Sequence, residues 1–296
     1  MNGFERQTMY QGVAAPSERP VFLLGCAWRC GSTLMQRVLS SHPELHVWGE
    51  NHGVISALAQ ASDCLERQHL QLDTSAAVFA DKGLAGFIPN LNPPAEVARA
   101  APRAWLLAYY HDATLALGKA RWGFKDVRYD AAMARFLLAT FPDGRVVFLV
   151  RNPISVLASM NGASWYRAAG GARGVMARWS QNTRTFAQWQ DSRVLTVRYE
   201  TLAADPGGEM QRVSQHLGLD AAGFDLRLFD KVVRGGTWTP RVGLAEAATL
   251  LRPAARRACQ AAGYPDPMDD ARLRPASLLA STPRSWLDSA LRAMRR

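Results

Sequence analysis

The chain has 296 residues, a formal net charge of +10 at pH 7, and 48% hydrophobic residues. This length and apolar content suffice for one large α/β domain or two small ones. No apolar run approaches the length of a membrane helix, and no hydrophobic segment follows a basic start. We therefore expect a soluble, cytoplasmic protein without a transmembrane segment.

The cysteines and the basic residues narrow the class of partner. Four scattered cysteines without paired Cys-x-x-Cys spacing argue against a metal site. The basic residues are spread along the chain, and no nucleic-acid-binding motif accompanies them, so a small acidic substrate is favoured over nucleic acid. Arginine far outnumbers lysine and alanine is abundant, which is typical of a GC-rich bacterial genome.

Strand-like and helical patterns alternate along the chain after a polar N-terminal segment. The predicted strands are Val21–Gly25, Leu45–Trp48, Trp122–Phe124, Arg145–Val150 and Val194–Arg198. The predicted helices are Ser32–Ser41, Ala98–Ala120, Ala131–Phe141, Ile154–Met160, Val175–Gln190 and Gly208–Leu217. This alternation predicts an α/β, P-loop-like three-layer fold with a central, mostly parallel sheet of about five strands flanked by helices.

The same pass predicts the limits of the domain. Residues 1–19 are predicted to be a flexible tail, residues 20–268 the folded domain, and residues 269–296 a basic C-terminal extension. Residues 61–97 show weak periodicity and are predicted to be an insertion over the site.

The first strand runs into a glycine-bounded loop and then a helix beginning at Ser32. Backbone N–H groups and the positive end of a helix dipole make such a junction an anion site. The nucleotide-triphosphatase loop requires G-x-x-x-x-G-K-[S/T]. Here Gly25 and Gly31 are one residue too far apart and Ser32 stands where the lysine would be. The loop therefore suits a phosphate-like anion but not Mg-ATP.

Polar residues follow the other predicted strands as well. Glu50, Lys125, Arg151 and Tyr199 each lie one or two residues beyond a predicted strand or at its end. Ligands of open parallel sheets bind beyond the carboxyl ends of the strands, so these residues predict one polar crevice.

Arg151-Asn152-Pro153 predicts a second anion site. Asn152 can cap a helix and Pro153 suits its first position, so another helix N-terminus faces the crevice. Ser159 lies further along the same helix. Two separate anion sites on one edge indicate a ligand phosphorylated at both ends.

From Pro20 to Pro267 the chain resembles the sulfotransferases that use 3′-phosphoadenosine-5′-phosphosulfate (PAPS). The segments that carry the resemblance are Gly25 to Thr33, Arg151 with Ser159, Val197-Arg198-Tyr199-Glu200-Thr201-Leu202 with Asp205-Pro206, and Gly263-Tyr264. His42-Pro43-Glu44 leading into Gly49-Glu50 is similar to the branch with a glutamate base, which includes tyrosylprotein sulfotransferases and bacterial enzymes.

The resemblance implies PAPS as sulfuryl donor, no metal, and a set of site residues. The implied donor-binding residues are Arg29, Cys30, Gly31, Ser32, Thr33, Leu34, Arg151, Ser159 and Tyr199, with Arg234 and Gly235 in a downstream covering loop. The implied catalytic residues are Glu50, Lys125 and Arg29. The acceptor (carbohydrate, peptide tyrosine, lipid or specialised metabolite) stays open, as does the oligomeric state, for which a homodimer is one alternative.

Some positions depart from the family pattern. Trp28 and Cys30 flank the loop arginine where the family usually has proline and serine. Ala163 stands where the tyrosylprotein enzymes have a second arginine, and Val127 where many relatives have proline.

Glu50 is the candidate general base and Lys125 the candidate electrophile on the bridging oxygen. Strand two is expected beside strand one, so that Glu50 faces Arg29. Alternatively, Glu50 has only a structural role, in a salt bridge with Arg29. His52 is the alternative base. Because a sulfuryl group carries a single negative charge, cationic side chains and backbone dipoles can suffice for its transfer.

Two other functions remain open from the residues alone. One is a kinase-like P-loop phosphotransferase, which Mg-ATP binding would indicate. The other is a non-catalytic nucleotide- or nucleic-acid-binding protein, for which steeply salt-dependent oligonucleotide binding would be the sign.

Overall fold

A five-stranded parallel sheet forms the centre of the protein. The computed structural model describes residues 15–72, 74–160, 163–230 and 242–274. Its strands are β1 (Val21–Gly25), β2 (Leu45–Trp48), β3 (Arg121–Asp126), β4 (Arg145–Val150) and β5 (Val194–Arg198). They pair in the order β2-β3-β1-β4-β5, all in parallel. The predicted α/β class and strand positions are confirmed.

The central strands are apolar because helices cover both faces of the sheet. All residues of β1 are buried, and so are all those of β4 except Arg145. Phe22 packs against Phe141 and Phe148 stacks on Phe186, with ring centroids 6.4 and 4.0 Å apart. Continuous apolar runs of this length are typical of strands buried on both sides.

Twelve α-helices are described around the sheet. They are α1 (Ser32–Ser41), α2 (Val54–Leu72), α3 (Thr74–Lys82), α4 (Ala95–Leu106), α5 (Asp112–Leu115), α6 (Ala131–Thr140), α7 (Pro153–Met160), α8 (Gly171–Ala187), α9 (Tyr199–Ala204), α10 (Pro206–Leu217), α11 (Leu244–Leu250) and α12 (Pro253–Ala261).

The predicted helix Ala98–Ala120 is confirmed from Ala98 to Leu115 and ends five residues earlier than predicted. The structure has α4, a π-helical turn at Leu107–His111, and the short α5. The helical segment ends early because Gly118 adopts a left-handed conformation, with φ of 72°, and its N–H bonds back to the carbonyl of Leu115.

Residues 61–97 are more regular than the sequence suggests. Most of α2, all of α3 and the start of α4 fall in this range. Their periodicity is weak because large apolar side chains such as Leu65 and Phe79 stay exposed on these helices. α11 and α12, beyond the last predicted element, were also missed.

Both ends of the described chain are attached to the domain. Pro16–Glu18 forms a 3₁₀ turn, and the indole N–H of Trp122 donates to the carbonyl of Ser17 over 3.0 Å. Residues 15–19, predicted to be part of the tail, are therefore anchored, whereas residues 1–14 lie outside the described chain. At the other end Leu273 is buried, and residues 275–296 also lie outside the described residues.

Candidate active site

The loop between β1 and α1 has the backbone of an anion-binding turn. Arg29 and Gly31 have φ of 65° and 97°, so the chain reverses sharply before α1. Gly31 is the N-cap of α1, and no side chain of the described residues caps that end. The N–H groups of Thr33 and Leu34 in the first turn of the helix are thus available to an anion, whereas the N–H of Ser32 bonds to the Cys30 thiol.

Gly31 is required at its position for a second reason. A Cβ there would collide with the ring of Tyr199, which packs directly on the loop. The opposite side of this contact involves Arg151, whose guanidinium lies 4.3 Å from the centroid of the Tyr199 ring. Gly31, Arg151 and Tyr199, which lie beyond the ends of β1, β4 and β5, therefore form one continuous surface.

The two predicted anion sites are joined rather than separate. The Nε of Arg29 donates to Ser159 Oγ over 3.1 Å, and Arg151 donates to the carbonyl of Arg29 over 3.0 Å. The Nε of Arg151 is buried without a hydrogen-bond partner among the described residues. A buried guanidinium N–H without a partner is costly, so this position suits an anionic ligand.

The start of α7 is fixed by hydrogen bonds from three directions. Asn152 Oδ1 accepts from the N–H of Ile154 over 2.9 Å, as the cap prediction requires. The N–H of Asn152 donates to one oxygen of Glu200, and the hydroxyl of Tyr264 donates to the other, both over 2.8 Å. The indole of the fully buried Trp179 donates to the carbonyl of Arg151 over 2.9 Å. Arg151 thus stands on a rigid support.

Glu50 lies at the other end of the sheet edge and does not contact Arg29 as the sequence analysis expected. Its carboxylate pairs with Lys125 and accepts from Arg128 over 2.7 Å. The reason is the strand order, because β3 lies between β2 and β1. Trp48 and Phe124 pair in register, which places the residues following them side by side.

The environment of Glu50 favours its charged form. Burial alone would raise the pKa of this carboxyl group, but the hydrogen bond and charge of Lys125, together with the charge of Arg128, outweigh burial and lower the pKa. Glu50 is therefore ionised at neutral pH, and a cation must move away before it becomes a stronger base.

Arg128 is a site residue that the sequence analysis missed. Its N–H donates to the fully buried Asp126 over 2.7 Å, which turns the chain back toward Glu50. The available signal was a cationic residue three positions after Lys125. The predicted site residues are the first ones beyond each predicted strand, and Arg128 lies further into the loop.

An aromatic and cationic wall adjoins Arg128. Arg178 donates to the carbonyl of Arg128, and its guanidinium lies 4.9 Å from the centroid of the Trp28 ring. Trp28 in turn packs on Trp165, with ring centroids 6.2 Å apart. Trp28, which replaces the family's usual proline, therefore has a structural partner in this wall.

Cys26 and Cys30 are buried within the loop between β1 and α1, which we call the anion loop. None of the four cysteines forms a disulfide. The hydrogen bond from Cys26 lowers the pKa of the Cys30 thiol although burial opposes this, while burial raises the pKa of Cys26. Cys30 thus occupies the position of the family's usual serine, and Cys26 is its hydrogen-bond partner.

Three other predicted residues, His52, Arg234 and Gly235, lie in loops or outside the described residues. His52, the alternative base, is exposed in the turn after β2 with a left-handed φ of 53°. Arg234 and Gly235 lie outside the described residues.

Within the described part of the chain, no group of three or more His, Cys, Asp or Glu side chains could hold a metal ion. No described helix is long and apolar enough to cross a membrane.

Solved structures of sulfotransferases are similar to this chain. The sulfotransferase domain from the curacin biosynthetic pathway matches with 17% identity over 83% of this chain and 98% of that domain, at a TM-score of 0.52. The sulfotransferase domain of the Synechococcus PCC 7002 olefin synthase matches with 20% identity over 79% and 83% of the two chains, at 0.45. A sulfotransferase from Alicyclobacillus acidocaldarius matches with 16% identity over 83% and 97%, at 0.43.

At these identities the likeness concerns the fold alone, and of the three only the curacin domain exceeds a TM-score of 0.5. No curated protein sequence gives a significant match. A family model described as the sulfotransferase family matches residues 20–223, which span β1 to β5 and the following helices. The chain therefore belongs to the sulfotransferase family of transferase enzymes.

Proposed function

We propose that the protein transfers a sulfuryl group from PAPS to a hydroxyl, or an amine, of an acceptor, with Glu50 as general base. The observation that carries this proposal is the order of groups along the sheet edge. Read by strand order, they are Glu50, Lys125, the anion loop, Arg151 and Tyr199. A carboxylate thus stands at one end and a row of cations and helix N-termini follows it.

The residues of this row fit the two anionic ends of the donor. When bound, PAPS supplies an activated sulfuryl group on its 5′-phosphate and a separate 3′-phosphate. The N–H groups at the start of α1, with Arg29, Ser32 and Thr33, would hold the 5′ side. Arg151 and Ser159 would hold the 3′-phosphate, and the buried, unpartnered Nε of Arg151 supports this role. Cys30 and Leu34 contribute backbone, and Tyr199 an aromatic face beside Arg151.

Glu50 would take the proton from the attacking hydroxyl. As the acceptor oxygen bonds to sulfur, the bond from sulfur to the bridging oxygen breaks, and the proton of the acceptor passes to the Glu50 carboxylate. Lys125 would donate to the bridging oxygen as negative charge grows there. Two observations support this role: Lys125 contacts Glu50, and it lies on β3, which pairs with the strand that leads into the anion loop.

This division of roles also explains the lowered pKa of Glu50. While Lys125 and Arg128 both contact the carboxylate, it is ionised but weakly basic. Transfer of the Lys125 contact to the leaving oxygen would remove one of these cations and make Glu50 more basic when its proton acceptance is needed.

The test combines a transfer assay with donor-site binding. Label transfer from ³⁵S-PAPS to hydroxyl acceptors is measured for the wild type, Glu50→Gln, Lys125→Met and the control Glu66→Gln on the exposed face of α2. We expect Glu50→Gln to lower turnover by about 100-fold while adenosine 3′,5′-bisphosphate binds as in the wild type. Lys125→Met should also reduce turnover far more than binding.

Either of two results would contradict the assignment. Transfer by Glu50→Gln at the wild-type rate would exclude Glu50 as the base. Equal losses of turnover and binding in Lys125→Met would show a donor-binding role in place of an electrophilic one.

A further inference from the structure

A cavity lies beside β4 and β5, where its lining residues Val150 and Arg198 directly precede Arg151 and Tyr199 of the row of transfer residues. Its volume is about 600 Å³, within the range of small-molecule sites. It is lined by Thr183 and Phe186 of α8, Thr196 and Arg198 of β5, Trp189 and Arg212. None of Glu50, Lys125, Arg151, Ser159 or Tyr199 lines it.

The position of this cavity separates it from the chemistry of Glu50. β5 and β2 form opposite edges of the sheet. Four strand spacings of about 4.8 Å place these edges roughly 19 Å apart. A ligand in the cavity therefore would not contact the proposed base.

The cavity contains polar groups that lack partners. Thr183 is 1% exposed, and its hydroxyl has no hydrogen-bond partner among the described residues. The Nε of Arg198 is likewise buried and unpartnered within that part of the chain. Buried polar groups are almost always satisfied, so two of them on one cavity indicate a ligand that supplies acceptors.

Of the two arginines that line the cavity, Arg198 has no ion pair among the described residues. Arg212 pairs with Glu209 and donates to the carbonyl of Thr196 over 2.8 Å, so its charge is neutralised within the protein. Arg198 makes no ion pair with a described carboxylate, and its guanidinium lies over the ring of Tyr264 at 4.3 Å. One negative charge on a ligand would balance it.

The apolar part of the wall includes the rings of Phe148, Phe186 and Trp189. Phe186 stacks on Phe148, and the Trp189 ring lies 5.6 Å from Phe186 between centroids. Arg135 covers the Trp189 ring at 4.9 Å and holds it in place. An apolar ring system would bury its surface against these side chains.

We propose that this cavity is a binding site for a small aromatic monocarboxylate. Its carboxylate would accept hydrogen bonds from Arg198 Nε and the Thr183 hydroxyl, and its ring would pack on Phe186 and Trp189. The site is distinct from the row of transfer residues, since none of the residues of that row lines the cavity.

Calorimetric titration with 2-naphthoate tests the proposal, with the uncharged 2-naphthamide as matched ligand. We expect one naphthoate per chain and at least about 10-fold weaker binding of the amide, because the amide cannot pair with Arg198. Arg198→Gln should weaken naphthoate by a similar factor. Arg151→Ala, which alters the donor row, should leave naphthoate binding unchanged.

Thr183→Val distinguishes a ligand-binding hydroxyl from a structural one. Removal of a buried, unsatisfied hydroxyl should leave the melting temperature unchanged or raise it, while naphthoate binds about 5-fold more weakly. A fall in melting temperature with unchanged binding would show that the hydroxyl is structural and overturn its assignment. Absence of naphthoate binding, equal binding of the amide, or loss of binding in Arg151→Ala would overturn the site.

Discussion

At the scale of single residues, the protein holds one carboxylate between two cations. Glu50 contacts Lys125 and Arg128, and these contacts outweigh the effect of burial on its pKa. Lys125 is proposed to act on the leaving oxygen, whereas the ion pairs of Arg128 within the described residues are those with Glu50 and Asp126. Arg128 is therefore a positioning residue whose charge sets how easily Glu50 is protonated.

Arg128→Gln should shift the pH dependence of the reaction. With one cation removed, the pKa of Glu50 rises from its lowered value, so the base becomes protonated at a higher pH. The acidic limb of the kcat/KM profile should move to higher pH, and Arg128→Lys should move it less because the charge is retained. The measurement is a pH profile of both variants beside the wild type. An acidic limb that stays in place, or moves to lower pH, would show that Arg128 does not control the base.

At the scale of elements, one lysine ties the first βα unit to the sheet. Lys119 Nζ donates to the carbonyls of Ser40, His42 and Leu45 over 2.5, 2.9 and 3.0 Å. These carbonyls belong to the end of α1, the turn after it and the start of β2. The lysine thus fixes the segment that leads to Glu50.

Lys119→Met should lower the free energy of unfolding by about 2 kcal/mol, since charge-assisted hydrogen bonds to three carbonyls are lost. Lys82→Met, at the exposed end of α3, should change it by less than about 0.5 kcal/mol. Urea denaturation of both variants provides the comparison. If the two variants were equally stable, the Lys119 contacts would contribute nothing to holding this segment.

The sequence predicted all five strands, including β2 and β5, whose burial is mixed. β1 and β4 appear as continuous apolar runs because helices cover both of their faces. α2 and α3 escaped recognition because exposed Leu65 and Phe79 blur their periodicity. The chain forms a π-helical turn between α4 and α5. The pattern of apolar residues gives no signal for this turn.

At the scale of the whole molecule, the order of strands decides which site residues meet. Local patterns gave the five strands and the polar residues at their ends, but pairing is a long-range property that alternation alone does not specify. The expected neighbourhood of β2 and β1 was therefore wrong, and Glu50 lies beside Lys125 instead of Arg29. The carboxyl-end rule still brought Arg29, Lys125, Arg151 and Tyr199 to one edge.

The same strand order makes the proposed donor site testable, because its parts follow different strands. A donor with phosphates at both ends should need the α1 loop from one strand and Arg151 from the next, and neither would suffice alone. Mg-ATP lacks the 3′-phosphate, and the loop lacks the lysine that holds its terminal phosphates.

The most direct measurement is a calorimetric titration with adenosine 3′,5′-bisphosphate and, separately, with Mg-ATP. It is made on the wild type, Arg151→Ala and the control Arg99→Ala, an exposed arginine of α4. We predict metal-independent binding of the bisphosphate, at least about 10-fold weaker in Arg151→Ala and unchanged in Arg99→Ala. Absence of bisphosphate binding, or a preference for Mg-ATP, would contradict the proposed donor and favour a phosphotransferase.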